Sequence, residues 1–236
     1  MKKKILSLIC ARGSSKGIPD KNITLLCGKP LIGWAIEQAL SISFIDHVYV
    51  STDSETIAQV SKEYGAKVVF KRPANLAKDD TPEFLVWKHA INEIENYSKE
   101  KFDFMLSIPA TSPLRNNLDI ENCIYKLTET ECDTVIAITD AHRNPYFNMV
   151  KLNSDGIASK IISNNDIYRR QDAPLVHDMT TVAFAGKVSF IKNNSSIYDG
   201  IIQTVHVPIE RSIDIDTPFD LKIAELLKNS LEIENG

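Results

Sequence analysis

The sequence predicts an α/β fold: a doubly wound, mainly parallel (mixed) sheet with helices on both faces. Three observations carry this reading. Strand-like and helix-like segments alternate through the first 140 residues, the pattern of βαβ wiring. The first apolar run, Lys4–Cys10, ends directly in a loop, as a central parallel strand does. The rhythm breaks after residue 140 and resumes near 181, so an insertion interrupts one sheet instead of a second domain replacing it.

The elements follow in order. After Lys4–Cys10, Pro30–Ser41 has apolar residues at Leu31, Ile32, Ala35, Ile36, Ala39 and Leu40, a helical spacing with Pro30 near its start. Asp46–Thr52 reads as a strand. Ser54–Tyr64 reads as a helix, N-capped by Ser54 or Asp53 and stopped by Gly65. Lys67–Phe70 is a third strand, Thr81–Tyr97 a long helix and Phe104–Ile108 a fourth strand. Leu118–Thr128 is a helix and Thr134–Thr139 a fifth strand. Asp140–Asp178 is polar and irregular. It contains two short strand candidates, Phe147–Leu152 and Ile157–Ile162, joined around Ser154-Asp155-Gly156 as a hairpin. Strands at Thr181–Gly186 and Gln203–Val207 and a helix from Pro218 to Leu227 close the chain, and Glu232–Gly236 are expected to fray. Residues 1–236 thus form one domain, with 140–178 as an insertion.

Composition bounds the function. With 236 residues, 43% hydrophobic and 25% charged, the chain can bury one sizeable core. A net charge of −4 argues against a nucleic-acid track. The balance is uneven: residues 1–30 carry +6 and residues 210–236 carry −4, which suggests a local anionic ligand near the start. Cys10, Cys27, Cys123 and Cys132 form no C-x-x-C pair and no zinc spacing with histidine. They read as buried thiols of a cytoplasmic protein. The opening MKKKILSLICA imitates a signal peptide but reads as a first strand with a basic lead-in. No apolar stretch approaches the ~20 residues of a membrane span.

In such sheets, ligands bind beyond the carboxyl ends of the strands, where the winding reverses. That directs attention to Ala11–Asn22, Ser51–Ser54 and Pro109–Arg115. The first loop, ARGSSKGIPDKN, holds Arg12, Lys16 and Lys21, with Gly13 and Gly17 allowing tight turns. Backbone N–H groups and three cations make a phosphate cradle; the alternative is a solvated loop with scattered lysines. Neither a dinucleotide G-x-G-x-x-G nor a Walker A pattern is present. At the other end, Asp214 and Asp216 in SIDID stand two apart, so on an extended segment both point the same way. Two carboxylates facing a triphosphate suit Mg²⁺; the alternative is a pair of surface acids at the start of the last helix, capped by Thr217.

The first loop also resembles the signature A-R-x-x-S-K-G-x-x-x-K-N of CMP-sialic acid synthetases and their CMP-Kdo synthetase relatives. Ala11, Arg12, Ser15, Lys16, Gly17, Lys21 and Asn22 occupy its fixed positions. STDSETIA (51–58), KRPANLAKDDT (71–81), ATSPLR (110–115), RRQ (169–171) and SIDIDTPFDL (212–221) match in order, so the resemblance covers nearly the whole chain.

The resemblance implies roles. Arg12 and Lys21 would hold the triphosphate of CTP and offset charge at the α-phosphorus, with Ser15 and Lys16 assisting. Asn22 and Arg72 would meet the cytosine, and Asp79 and Thr81 belong to the nucleotide side. A family serine that helps bind the nucleotide falls at Glu83, so the resemblance does not carry that contact over to this chain. Asp214 and Asp216 would hold Mg²⁺, and Asp216 joins Arg12 and Lys21 as the catalytic set. On the sugar side stand Thr111, Ser112 and Arg115, with Arg170 and Gln171 from the insertion; an arginine there suits the sugar's carboxylate. Pro109 replaces a glutamine frequent in sialic acid enzymes. VHDMTTVAF (176–184) and RNPYFNMV (143–150) resemble the version in enzymes for legionaminic acid, a bacterial diamino analogue, which makes His177 and Asp178 candidate sugar contacts.

The implied reaction joins CMP from CTP to the anomeric hydroxyl of a nine-carbon 2-keto sugar acid, legionaminic or N-acetylneuraminic in type, with release of pyrophosphate. No Ser-His-Asp or Cys-His set appears, so no covalent protein intermediate is required. Competing readings are a CMP-Kdo synthetase, a cytidylyltransferase for another small alcohol, and a non-catalytic nucleotide-binding or assembly module. A homodimer through Asp140–Asp178 is expected.

Overall fold

In the computed structural model, which describes residues 3–163 and 167–234, ten strands and six α-helices are arranged around one large sheet. The strands in chain order are β1 (Ile5–Cys10), β2 (Leu25–Leu26), β3 (Lys29–Pro30), β4 (Val48–Ser51), β5 (Phe104–Ser107), β6 (Thr134–Asp140), β7 (Val150–Leu152), β8 (Ala158–Lys160), β9 (His177–Lys187) and β10 (Ile202–His206). The helices are α1 (Leu31–Leu40), α2 (Glu55–Glu63), α3 (Glu83–Ser98), α4 (Asn117–Glu129), α5 (Val188–Asn193) and α6 (Pro218–Glu234). The six-stranded sheet runs β10-β6-β9-β5-β1-β4. All its pairings are parallel except those of β9, which is antiparallel to both β5 and β6.

Alternation along the central strands builds the two faces. Ile9 of β1 joins the core beneath α1, α4 and α6, with Leu31, Ile36, Ile120 and Ala224. Leu6 and Leu8 join the opposite core with Phe84, Trp87, Ile91 and Phe190 of α3 and α5. Helices therefore cover both faces, as a doubly wound sheet requires. No helix among the described residues is long and apolar enough to cross a membrane.

Several elements depart from the sequence reading. Lys67–Phe70 contributes only one bridge, Lys67 to Tyr49. The chain then turns toward the ligand end of the sheet, where the Arg72 amide donates to the Thr52 carbonyl at 2.8 Å. The helix expected from Thr81 starts at Glu83, with Pro82 at its N-cap; a residue preceding proline is disfavoured in the helical region. Hairpin β7–β8 is shorter than its two candidate segments, its turn using Gly156 at φ +80. The hairpin β2–β3, with Cys27 (φ 50) and Gly28 (φ 79) at its turn, was not expected, and neither was α5. The last helix continues to Glu234, past Leu227, so Glu232–Glu234 are helical where fraying was expected. Asn235 and Gly236 lie outside the described residues. The cysteines are not uniformly buried: Cys27 is exposed and Cys10 half-buried.

The capping logic holds. Ser54 Oγ accepts from the Ile57 amide at 3.3 Å, and Gly65 ends that helix at φ +94. Asn116 and Asp119 form a capping box on α4. Residues 141–176 leave the sheet between β6 and β9 and carry the small hairpin.

Candidate active site

A cleft of about 290 Å³ opens at the carboxyl ends of β1 and β5. Its walls include Arg12, Lys21, Asn22, Arg72, Asp79, Thr81, Thr111, Asp214 and Asp216, residues spread over more than 200 positions of sequence. The first loop, the segment after Arg72, the loop after β5 and the SIDID segment each supply one wall.

The first loop follows β1, whose Ala11 amide bonds the Ser51 carbonyl at 3.0 Å. The Gly13 amide donates to Asp53 Oδ1 at 2.9 Å, fastening the loop to the end of β4. Gly17 packs against the backbone of Asp216: a Cβ there would lie 1.9 Å from the Asp216 carbonyl oxygen, so close approach explains this glycine. Asn22, buried, donates its amide to the Arg12 carbonyl at 3.0 Å, which orients both side chains toward the cleft. Ser15 is not among the cleft-lining residues.

The cations are paired across the cleft. Arg12 meets Asp79 at 2.6 Å and Lys16 meets the same carboxylate at 2.9 Å. The Lys16 bond, then the nearby charges of Lys16 and Arg12, hold the Asp79 carboxyl below its usual range. Lys21 meets Asp216 at 2.6 Å. Arg72 is buried, with Nε on Ser51 Oγ at 3.0 Å and Nη2 on the Ser51 carbonyl at 2.5 Å. This clamp sets the guanidinium at the cleft floor.

The acidic segment is placed by its middle residue. Ile215 is fully buried and its amide donates to the Thr111 carbonyl at 2.9 Å. Asp214 and Asp216 on either side therefore both reach the cleft. Thr217 and Asp220 then cap α6 reciprocally, the Asp220 carboxylate accepting from the Thr217 amide at 2.7 Å and the Asp216 amide at 3.2 Å. Burial raises the Asp214 carboxyl above its usual range, and the charge of Asp216 adds to this; the Thr111 and Thr181 hydroxyls and Lys21 act the other way. Its Oδ1 is buried with no hydrogen-bond partner among the described residues. A desolvated, under-bonded carboxylate beside a second, exposed one fits a hard divalent cation, which Asp214 and Asp216 would hold.

The sugar-side candidates separate. Thr111 lines the cleft. Ser112 lies behind it, its Oγ 2.7 Å from Thr181 Oγ1. Arg115 turns inward: it is buried, with Nη1 on the carbonyls of Pro109 (2.7 Å) and Val182 (3.2 Å) and Nε on Gln38 (3.1 Å). Burial pushes its guanidinium down to about 9, against the raising charge of Asp119. It secures the loop after β5 from below instead of facing the cleft, because three acceptors there take bonds from its Nε and Nη1, while Nη2 is buried without a hydrogen-bond partner among the described residues. Arg170 and Gln171 occupy an exposed turn of the insertion, where Arg170 Nη2 reaches the Ala141 carbonyl at 3.1 Å. His177 faces Asp140, and Asp178 pairs with Thr139; none of these four lines the cleft.

The cleft also holds residues to which the sequence reading gave no role in the site. Thr181 reaches it through an irregularity in β9: Ile136 pairs with Phe184 but Ile138 pairs with Met179, so β9 takes five steps where β6 takes two. No local sequence signal marks such a bulge. Lys78 was visible within KRPANLAKDDT as another cation. Glu83 stands on the wall with Oε1 3.2 Å from Trp87 Nε1. The surrounding protein desolvates it and raises its carboxyl, against Trp87 and Arg72, although part of the side chain remains open to the cleft. Cys10 lies beside Arg72, and burial pushes its thiol up to about 12, so it stays protonated.

Residues 6–229 match the family described as Cytidylyltransferase. The chain is 35% identical over 223 residues to post-translational flagellin modification protein B of Campylobacter coli, with 94% of each chain covered. It is 34% identical to the CMP-N,N'-diacetyllegionaminic acid synthase of Campylobacter jejuni, again over 94% of each. A solved CMP:2-keto-3-deoxy-manno-octonic acid synthetase, complexed with CTP, shares the fold at a TM-score of 0.72 and 18% identity, over 97% of this chain and 100% of that one. A cleft that gathers a cationic loop and two carboxylates from opposite ends of the chain, within a sequence matched from residue 6 to residue 229, places this protein in the cytidylyltransferase family.

Proposed function

We propose that this enzyme transfers CMP from CTP to the anomeric hydroxyl of a nine-carbon 2-keto sugar acid, releasing pyrophosphate. One observation carries the reading: Lys21 of the phosphate loop and Asp216 of SIDID meet at 2.6 Å in a single cleft that Arg12 and Asp214 also line. A polyphosphate entering there has cations on one side and cation-binding carboxylates on the other.

In this reading the sugar hydroxyl oxygen forms a bond to the α-phosphorus as the bond from that phosphorus to the β-phosphate oxygen breaks. The hydroxyl proton leaves to solvent or to Asp216, the exposed carboxylate of the cleft. Arg12 and Lys21 stabilise the charge on the phosphate oxygens, a contribution of about 10²–10³ in rate for a well-placed group. Lys16, held at the rim by Asp79, joins Arg12 on the outer phosphates, and Ser15 belongs to the same loop. Asn22 and Arg72 hold the base, with Thr81 and Asp79 on the same wall. Asp214 and Asp216 would hold Mg²⁺, which when bound polarises the α-phosphate and neutralises the leaving pyrophosphate.

The sugar meets Thr111 and Thr181 first. Ser112 and Arg115 support that wall, and Arg170, Gln171, His177 and Asp178 of the insertion and its root lie beyond it. We take the sugar as legionaminic in type. The VHDM and RNPYFNMV segments support this, as does the likeness to a chain named for diacetyllegionaminic acid. A nucleotide-dependent step of this kind belongs in the cytoplasm, where CTP is available. We also assign a homodimer through the insertion. Val150, Leu152, Ile157, Tyr168 and Leu175 are all exposed there, Leu175 at 90%, an apolar surface of the sort that interfaces cover.

Pyrophosphate release with CTP, Mg²⁺ and a panel of sugar acids tests the reading. Release with a nine-carbon acid is expected, together with near-total loss in Asp216→Ala at unchanged fold. No release with any nonulosonic acid would dismiss it, and release with N-acetylneuraminate but not legionaminate would dismiss the sugar assignment.

A further inference from the structure

We propose that Asp140, His177 and His206 form a second metal site, for a transition-metal ion of the zinc type, at the root of the insertion. The sheet register brings them together. Asp140 ends β6, His177 begins β9 and pairs with it, and His206 ends β10 opposite Ile138. Ile138 and Asp140 are two apart on one strand, so all three side chains project from the same sheet face. Three hydrogen-bonded strands, not a flexible loop, hold them.

The atoms are spaced for coordination. Asp140 Oδ1 lies 3.0 Å from His206 Nε2 and 3.5 Å from His177 Nδ1, and one donor atom from each residue falls within 4.8 Å of the others. Metal–ligand distances of about 2.0–2.2 Å imply donor separations of roughly 3.3 Å around a tetrahedral ion. The imidazole rings stand at 82° with centroids 6.2 Å apart, so neither stacks on the other. Two imidazoles and one carboxylate favour zinc-like ions over Mg²⁺, and three protein ligands leave one position for water. All three residues are exposed, which gives the ion a path from solvent.

The surroundings do not compete. Asp178 follows His177 on the opposite face of the strand. Arg170 reaches the Ala141 carbonyl and not the Asp140 carboxylate. None of the three ligands lines the cleft, so the site is separate from Asp214 and Asp216. An ion bound here would tie the two strand ends that flank the insertion, Asp140 and His177, to the end of β10, clasping the arm at its base.

The test uses the full chain, stripped with a chelator and titrated with Zn²⁺ by calorimetry and with Co²⁺ by absorption. One ion should bind with Kd of about 1 μM or tighter. Co²⁺ should give the visible bands of a tetrahedral ion, and excess Zn²⁺ should raise Tm by at least ~2 °C. His206→Ala should weaken binding at least ~100-fold and lose the bands, with Mg²⁺- and CTP-dependent pyrophosphate release within about 2-fold of the parent. Asp140→Asn should weaken binding likewise if the first variant folds poorly, and Asp216→Ala should keep the bands. No binding tighter than about 100 μM, or undiminished affinity in both His206→Ala and Asp140→Asn, would overturn the proposal.

Discussion

The backbone of Gly17 lies so near the carbonyl of Asp216 that any Cβ at that position would stand 1.9 Å from its oxygen. Gly17→Ala must therefore separate the phosphate loop from the acidic segment, because a backbone carbonyl held by the α6 cap cannot swing aside. A displacement of ~1 Å at a reacting centre costs about 10²-fold. We expect kcat/KM to fall by about that factor while circular dichroism remains that of the parent; steady-state kinetics on the folded variant checks it.

Lys21→Met should separate catalysis from stability. Lys21 is largely covered, but its partner Asp216 is 66% exposed, and an exposed ion pair contributes about 0–1 kcal/mol to folding. The same ammonium is assigned to the transition state, so kcat should fall ~10²–10³-fold with Tm nearly unmoved. A double-mutant cycle with Asp216→Ala should be far from additive, since both residues serve one step.

Arg211→Met should destabilise the protein. Arg211 bonds both oxygens of buried Asp119, at 2.9 and 3.0 Å, while Asp119 also closes the capping box of α4. Losing the arginine leaves a buried carboxylate short of donors, a cost of about 1–3 kcal/mol. For a chain of this size that is a fall of about 2–12 °C in Tm, measurable by calorimetry.

Glu95 should make the protein acid-sensitive. Its side chain is 3% exposed and accepts from Lys101 and Lys192, each at 2.6 Å. Burial raises its carboxyl, but the two lysine bonds prevail and hold it below its usual range. A depressed carboxylate contributes stability that is complete above the unfolded value, near 4.3, and is lost as pH falls through the folded value. Urea unfolding of Glu95→Gln should show a deficit at pH 7 that disappears progressively below pH 4.

Leu152→Asp combined with Leu175→Asp should yield a monomer by light scattering at micromolar concentration, since both are among the exposed apolar residues of the insertion. A dimer of unchanged affinity would place the interface elsewhere.

Much of the cleft was legible because its chemistry is carried by charge at chain positions that the fold class itself selects. Arg12, Lys21, Asp214 and Asp216 stand beyond strand ends or on alternating positions, and simple periodicity assigns their direction. Thr181 was hidden because a strand's facing follows its register, and the irregularity opposite Ile136 and Ile138 is set by the pairing of two strands. Arg115 read as a sugar-side contact; its inward turn depends on the carbonyls of Pro109 and Val182, which only the folded loop presents. The strand at Lys67–Phe70 had the right composition, yet it pairs once before Arg72 is drawn to Ser51.

The pairing of Lys21 with Asp216 spans 195 positions, and this has a consequence for biosynthesis. A ribosome delivers the acidic counterpart roughly ten to forty seconds after the phosphate loop at ordinary elongation rates. Until Asp216 is added, the nascent chain carries a cationic loop whose partner does not yet exist. In the proposed reaction, catalytic competence therefore waits on the SIDID segment, and a product terminated ahead of it would bear the phosphate loop without the two carboxylates assigned to the metal.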